Sequence, residues 1–189
     1  MASLNNTLEY ILEMAETPEI FCKECEIKYN SKIQKIAKEI AGSKEKTIVM
    51  LAGPSSAGKT TTAKKLREAL ADMNIVCHTI SLDDFYLDNC DSPRFPDGTP
   101  DYETVNALDI PCFEKTMNKL LNEGEAELPE FDFLTGARKP EYNNLKISKS
   151  DVIVVEGLHA LNPVITQSLE NENMITNIRH KNLIFEALV

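Results

Sequence analysis

Arginine is scarce in this chain, with Arg67, Arg94, Arg138 and Arg179 its whole complement. Basic residues number 20 against 30 acidic ones, and the formal net charge is -10. A protein that wraps nucleic acid presents a basic face instead, so no nucleic-acid partner is expected. No run of 18 or more apolar residues occurs, so no membrane span is expected either. Residues 1–10 lack the basic stretch and apolar core of a secretory leader. The cysteines are odd in number (Cys22, Cys25, Cys77, Cys90 and Cys112), which argues against a disulfide framework and for reduced thiols in the cytoplasm. Cys22 and Cys25 form a C-x-x-C, but no second pair lies at zinc-finger spacing, and they are expected to be ordinary thiols on a helix. No internal repeat is present.

What remains is the composition of one globular domain: 189 residues, 42% hydrophobic and 26% charged. Leu4, Leu8, Ile11, Leu12 and Ala15 recur at helical spacing up to Pro18. A second helix is expected over residues 19–40, with Ile20, Ile27, Ile33, Ile36, Ala37 and Ile40 as its apolar stripe and Gly42 near its end. Residues 1–44 therefore form a helical extension or connector ahead of a domain spanning residues 45–189.

Residues 47–52 are a nearly continuous apolar run, the pattern of a strand covered on both faces in a parallel sheet. A glycine-containing loop follows, then a helical stretch over 61–70, then an expected strand at 75–81. This order is a βαβ unit. Residues 82–111 are rich in Asp, Pro and aromatic residues and read as structured loop around a site. A helix is expected over 112–122 and a short strand over 128–133. Residues 151–157 form another buried strand with an acid at its C-terminal end, and residues 177–189 are a candidate for one more short strand. The fold expected is α/β: a doubly wound, mainly parallel sheet of the P-loop NTPase type with flanking helices.

The loop itself is specific. Gly53-Pro54-Ser55-Ser56-Ala57-Gly58-Lys59-Thr60 fits G-x-x-x-x-G-K-[ST] in full. Such a loop turns its backbone N–H groups inward, and with the following helix N-terminus it holds phosphate oxygens. Lys59 is then expected at the terminal phosphates, the Thr60 hydroxyl on Mg²⁺, and Thr61 near the α-phosphate. ATP and Mg²⁺ are the cofactors this implies. Two acids complete the reading. Asp83, with Asp84, follows the second strand on the side facing the loop, where one carboxylate can orient an acceptor hydroxyl and take its proton. Asp83 is favoured because Phe85-Tyr86 can then wall the acceptor pocket. Glu156 ends the 152–155 strand, where a carboxylate can serve the metal. His159 is expected near the site's rim, and His78 to be packed.

Together these stretches resemble the uridine kinase and phosphoribulokinase family of P-loop kinases, in particular its uridine kinase-like branch. The resemblance is carried by Gly53–Thr60, Asp83-Asp84-Phe85-Tyr86, Phe131-Asp132-Phe133 and Val154-Val155-Glu156-Gly157, and covers roughly residues 45–163. It implies that Asp83 is the catalytic carboxylate beside a 5′-hydroxyl, that Tyr86 lies near a nucleoside, and that Glu156 is the magnesium-side acid. Tyr102-Glu103 stands where the family usually has Phe-Asp, whose acid grips the ribose hydroxyls. Phe131 and Phe133 match aromatics that flank the base. Gly136 stands where uridine kinases usually carry a base-reading histidine, which puts uridine specificity in question. Arg138 is expected to steady the loop or to contact substrate phosphate.

The resemblance also implies an arginine-rich lid and further core strands beyond residue 163. The chain is therefore expected to be a truncated or minimal member, with a homo-oligomer or a partner chain covering an incomplete sheet. The function expected is transfer of the ATP γ-phosphate to a small-molecule hydroxyl, foremost a ribonucleoside's. The alternatives are a P-loop hydrolase or switch, or a weakly catalytic nucleotide-binding module.

Overall fold

The computed structural model describes residues 12, 15–42, 47–169 and 185–186. The helical spacing at Leu4, Leu8 and Ile11, and His180 and Arg179, lie outside the described residues.

Helix α1 spans Pro18–Ala41. Its proline sits in the first turn, where a missing N–H leaves no helical bond unmade. Only the second half of its apolar stripe is buried. Ile33, Ile36, Ala37 and Ile40 pack into the core, whereas Ile20 and Ile27 are 58% and 65% exposed. The expectation of one continuous buried stripe is corrected accordingly: Ile20 and Ile27 stand ~120–140° around the helix axis from Ile33 and so face away from the core, and Cys22, which shares the Ile33 face, is exposed because the helix runs past the layer that covers it. Cys22 and Cys25 are exposed, free thiols on this projecting half.

Strand β1 (Thr47–Ala52) leads through the glycine loop to α2 (Lys59–Ala71), and β2 follows at Cys77–Ser81. Two short 3₁₀ turns, Leu82–Phe85 and Val105–Ala107, punctuate the long segment that leads to α3 (Ile110–Glu123). Asp109 caps α3 by accepting the Cys112 N–H at 3.0 Å, and Gly124 closes it at φ 80°. Beyond lie β3 (Glu125–Leu128), β4 (Phe131–Asp132), β5 (Ala137–Arg138), β6 (Asn143–Lys146), β7 (Val152–Gly157), α4 (Pro163–Ser168) and β8 (Phe185–Glu186).

The expected single strand over 128–133 is in fact two. Pro129, which has no N–H to give a ladder, separates β3 from β4. β3 pairs antiparallel with β6, and β4 pairs antiparallel with β5.

The central sheet has the order β2-β7-β1-β8 and is parallel throughout. The candidate strand in 177–189 is present as β8, which pairs with Leu51 and Ala52 at the edge of β1. Successive residues of each strand face opposite layers. Val49, Leu51, Val152 and Val154 pack with α1 and with Ala63, Leu66, Ala69 and Leu70 of α2. Met50, Ile80, Ile153 and Val155 pack on the other side with Phe113, Met117 and Leu120 of α3 and Ile165 of α4. Burial on both faces is why these strands read as unbroken apolar runs. The fold is therefore the doubly wound α/β arrangement. Among the described residues no helix is long and apolar enough to cross a membrane.

Register decides where the loops emerge. β7 lies between β1 and β2, with Leu51 and Ser81 both opposite Glu156. The three strands thus end level, and the loops after β1, β2 and β7 leave from one edge, the usual ligand edge of an open α/β sheet. Gly157 makes this approach close. A Cβ there would stand 2.7 Å from Leu82 Cβ.

Two stability outcomes follow, both read by urea unfolding followed by circular dichroism. Ile40→Ala is expected to cost about 2–4 kcal/mol, against less than ~0.5 kcal/mol for exposed Ile27→Ala; equal effects would mean that α1 is not part of the core. Gly157→Ala is expected to cost about 1–3 kcal/mol through its collision with Leu82, and an unchanged midpoint would contradict that close packing.

Candidate functional site

The loop after β1 turns tightly ahead of α2, with the Ala57 N–H donating to the Pro54 carbonyl at 3.2 Å. Ser56 and Gly58 have φ 62° and 81°, in the left-handed region that turns the backbone back on itself. Gly58 is the N-cap of α2 and offers no side chain to the first-turn N–H groups, and no acid stands in that turn. Those N–H groups and the positive end of the helix dipole are left for an anion. Lys59 folds back across the loop, its Nζ donating to the Pro54 carbonyl at 3.1 Å. Gly53, Ser55, Ser56, Ala57, Gly58, Lys59, Thr60 and Thr61 thus form one continuous turn into α2.

Opposite the loop, Thr60 Oγ1 and Ser81 Oγ each lie 3.4 Å from the same Glu156 oxygen, Oε1. Good hydroxyl–carboxylate bonds are shorter, about 2.5–3.0 Å, so this buried carboxylate is only loosely satisfied by its neighbours. Burial, and then the charge of Asp83, raise its pKa, with Lys59 and the two hydroxyls pulling the other way. The oxygens of Thr60 and Glu156 form a hard donor pair that could hold Mg²⁺. Among the described residues no group of three or more His, Cys, Asp or Glu side chains could hold a metal, so phosphate and water would have to supply its other ligands. Ser81 was not singled out in the sequence. The available signal was its place as the last residue of β2, level with Glu156.

The 3₁₀ turn after β2 separates the two neighbouring aspartates. Ser81 Oγ caps the turn by accepting the Asp83 N–H at 3.3 Å. Asp83 then lines an open cleft of ≈ 590 Å³ together with Pro54, Ser55 and Lys59 on the loop side and Tyr86, Tyr102, Glu103, Phe133, Leu158 and His159 around the rest. Asp84 turns the other way and accepts the Phe131 N–H at 3.4 Å. Burial raises the Asp83 pKa, opposed by Lys59 and then His159. Burial holds the His159 pKa below its ordinary value, opposed by the Glu103 backbone and the Asp83 charge.

One wall of the cleft is aromatic. Tyr86, Tyr102, Phe131 and Phe133 meet edge to face, with centroids between 5.0 and 6.1 Å apart. The Tyr86 hydroxyl donates to the Tyr102 carbonyl at 2.9 Å, and burial pushes its phenol up to about 12. The Tyr102 hydroxyl donates to Asn89 Oδ1. Phe133 is 55% exposed and lines the cleft, whereas Phe131 is buried and does not line it.

Two expected substrate residues therefore stand off the cleft. Phe131 supports the wall without lining it. Arg138 is a staple: its guanidinium donates to the carbonyls of Tyr86 and Phe85 at 3.1 and 3.2 Å and pairs with Asp109 at 3.0 Å. Those bonds hold the segment that carries Asp83 and Tyr86 against the start of α3, and the loop-steadying role is the one this geometry supports.

Gly136 has a steric reason. At φ 68° it is strained for any side chain, and a Cβ there would fall 1.9 Å from Asn89 Nδ2. His78 lies at the far end of the sheet, packed against Asp151 at 2.9 Å.

Residues 48–171 match the family model described as the Phosphoribulokinase / Uridine kinase family. The chain is 31% identical over 121 residues to a uridine kinase of Lactobacillus helveticus, covering 64% of this chain and 56% of that protein. It is 32% identical over 152 residues to uridine-cytidine kinase C of Dictyostelium discoideum, covering 80% of this chain and 31% of the relative. The chain thus spans little more than half the length of the first relative and about a third of the second. A solved structure described as a possible uridine kinase from Bacillus stearothermophilus has the same fold, with a TM-score of 0.58 at 20% identity over 75% of this chain and 85% of that one. With its phosphate loop, acid-tipped β7 and matching span, the chain belongs to the Phosphoribulokinase / Uridine kinase family.

Proposed function

We propose that this chain is an ATP-dependent kinase that transfers the γ-phosphate to a hydroxyl of a small molecule, foremost the 5′-hydroxyl of a ribonucleoside. The observation that carries this reading is Asp83. It faces the phosphate loop across the same cleft that Tyr86, Tyr102 and Phe133 wall with aromatic rings. A hydrolase or a nucleotide switch needs the loop but has no use for an acceptor wall.

In this reading the amides of residues 53–60 and the Lys59 ammonium hold the polyphosphate and offset its charge. Thr60 and Glu156 would hold Mg²⁺, which when bound neutralises charge on the transferring phosphoryl group. The Asp83 carboxylate orients the acceptor hydroxyl and takes its proton as the new P–O bond forms. Phe133 and Tyr86 receive a planar part of the acceptor, and the Glu103 carboxylate accepts hydrogen bonds from its hydroxyls. Base discrimination is expected to be weak, because Gly136 presents no side chain to a base edge.

Asp83→Asn is expected to keep Mg²⁺-dependent ATP binding, measured by calorimetry, while transfer falls about 10²–10⁴-fold. Product formation is read by mass spectrometry after incubation with ATP, Mg²⁺ and a nucleoside mixture. Transfer by the variant at the parent's rate would remove Asp83 from the mechanism. Phosphate release with no phosphorylated acceptor would favour the hydrolase instead.

The raised pKa of Asp83 adds two pH outcomes. The base must be ionised, so the acid limb of kcat/KM is expected above the ordinary carboxylate range; a limb at or below that range would contradict it. The folded state also holds the Asp83 proton more tightly than the unfolded state does. The associated stability is full below the unfolded carboxylate pKa and is lost as pH rises through the folded one. Ligand-free Asp83→Asn should therefore be more urea-resistant than the parent at pH 7, with the gain vanishing as pH falls below the unfolded value. A variant less stable than the parent at pH 7 would contradict the burial of an uncompensated charge.

A further inference from the structure

The buried face of α1 continues one turn beyond Ile33. Tyr29 lies ~40° from Ile33 around the helix axis and is half-buried against the layer that α1 forms with α2. Its phenol thereby reaches the first turn of the helix that follows the phosphate loop. There the Tyr29 hydroxyl stands 2.6 Å from Thr62 Oγ1.

The direction of that bond follows from what lies behind it. Thr62 Oγ1 donates to the Gly58 carbonyl at 2.9 Å. A carbonyl only accepts, so the single Thr62 hydroxyl proton is spent on Gly58, and the Tyr29 O–H is the donor to Thr62. The three groups form a chain of two hydrogen bonds, each polarising the next. A helical threonine divides between two χ1 rotamers. The phenol holds Thr62 in the one that reaches back to Gly58.

Gly58 is the N-cap of α2, at φ 81°. Its carbonyl also accepts the Thr62 N–H at 2.9 Å. That carbonyl and the Lys59 N–H are opposite sides of one planar trans peptide, so a restraint on the oxygen aims the N–H the other way. The Lys59 N–H is the first of α2 and has no partner within the helix. It points with the helix dipole toward the place where an anion binds. A second tie joins the same two helices without reaching the loop: Lys65 Nζ donates to Asn30 Oδ1 at 2.7 Å and stands 5.4 Å from the centroid of the Tyr29 ring.

We propose that Tyr29 is a positioning residue for the phosphate site. Through Thr62 it fixes the Gly58–Lys59 peptide, so that the Lys59 N–H is already aimed at a phosphate oxygen when nucleotide binds. The assignment gives α1 a part in nucleotide binding. It rests on the phosphate-binding half of the kinase reading and on nothing about the acceptor.

The test is calorimetry of ATP binding in the presence of Mg²⁺, with circular dichroism to establish that each variant is folded. Tyr29→Phe removes the hydroxyl and keeps the ring. It is expected to weaken ATP binding about 3–10-fold. Thr62→Val should weaken it at least as much, and Tyr29→Phe added to Thr62→Val should cost nothing further, because the two act through one chain. Thr62→Ser keeps the hydroxyl and should stay within about 2-fold of the parent. Asn30→Ala breaks only the second tie and should also stay within about 2-fold.

Parent-like affinity in folded Tyr29→Phe, independent losses in the double variant, or an equal loss in Asn30→Ala overturns the assignment and leaves the kinase reading standing. A parent that takes up no ATP with Mg²⁺ overturns both.

Discussion

The site depends on the level ending of three parallel strands. Because β7 pairs with β1 on one side and β2 on the other, with Leu51 and Ser81 both opposite Glu156, the phosphate loop, the Glu156 carboxylate and the turn bearing Asp83 emerge from one edge. A slip of one residue in either pairing would send each side chain of the slipped strand to the other face of the sheet. Two buried layers oppose such a slip, since Val152 and Val154 belong to one and Ile153 and Val155 to the other. The geometry of the candidate site is therefore secured by the apolar packing beneath it.

Above that edge the electrostatics are unfavourable when no ligand is bound. Burial raises the pKa of Asp83, Asp84 and Glu156 alike, and Asp83 and Glu156 repel each other. Lys59 opposes the shifts of Asp83 and Glu156. A site arranged in this way gains from a cation that accompanies a polyphosphate. The same charges disfavour an anionic acceptor on the Asp83 side. Cofactor and acceptor would thus be sorted by sign across a few ångströms, the loop amides and Lys59 on one side and the carboxylates on the other.

The segment between β2 and α3 has little regular structure, yet it carries much of the cleft's aromatic wall. Its order comes from Arg138, which binds the Phe85 and Tyr86 carbonyls and the α3 cap Asp109, and from the four edge-to-face rings. Asn89 joins the two halves of that wall. It accepts from the Tyr102 hydroxyl, and its backbone N–H donates to the Gly136 carbonyl at 2.8 Å. A single residue thereby couples the hairpin tip to the loop facing it, and its side chain fills the space that any residue larger than glycine would need at 136.

Much of this was readable from residue order alone, because it rests on local rules. The phosphate loop is a contiguous motif whose glycines and following helix act within a few residues of one another. The buried strands declared themselves by unbroken apolar runs, and Asp83 and Glu156 by standing at strand ends. What spacing could not decide were matters of neighbourhood. Cys22 and Ile33 lie only ~20° apart on a helical wheel, and only the extent of the covering layer leaves one exposed and buries the other. Asp83 and Asp84 are chemically equal, and the 3₁₀ turn capped by Ser81 sends one to the cleft and the other to Phe131. Arg138 could have met a phosphate, but three main-chain and side-chain oxygens from distant parts of the sequence surround it first. Local chemistry is fixed by which residues follow one another, whereas the partner of a long side chain is fixed by which segments the packed sheet brings within a few ångströms.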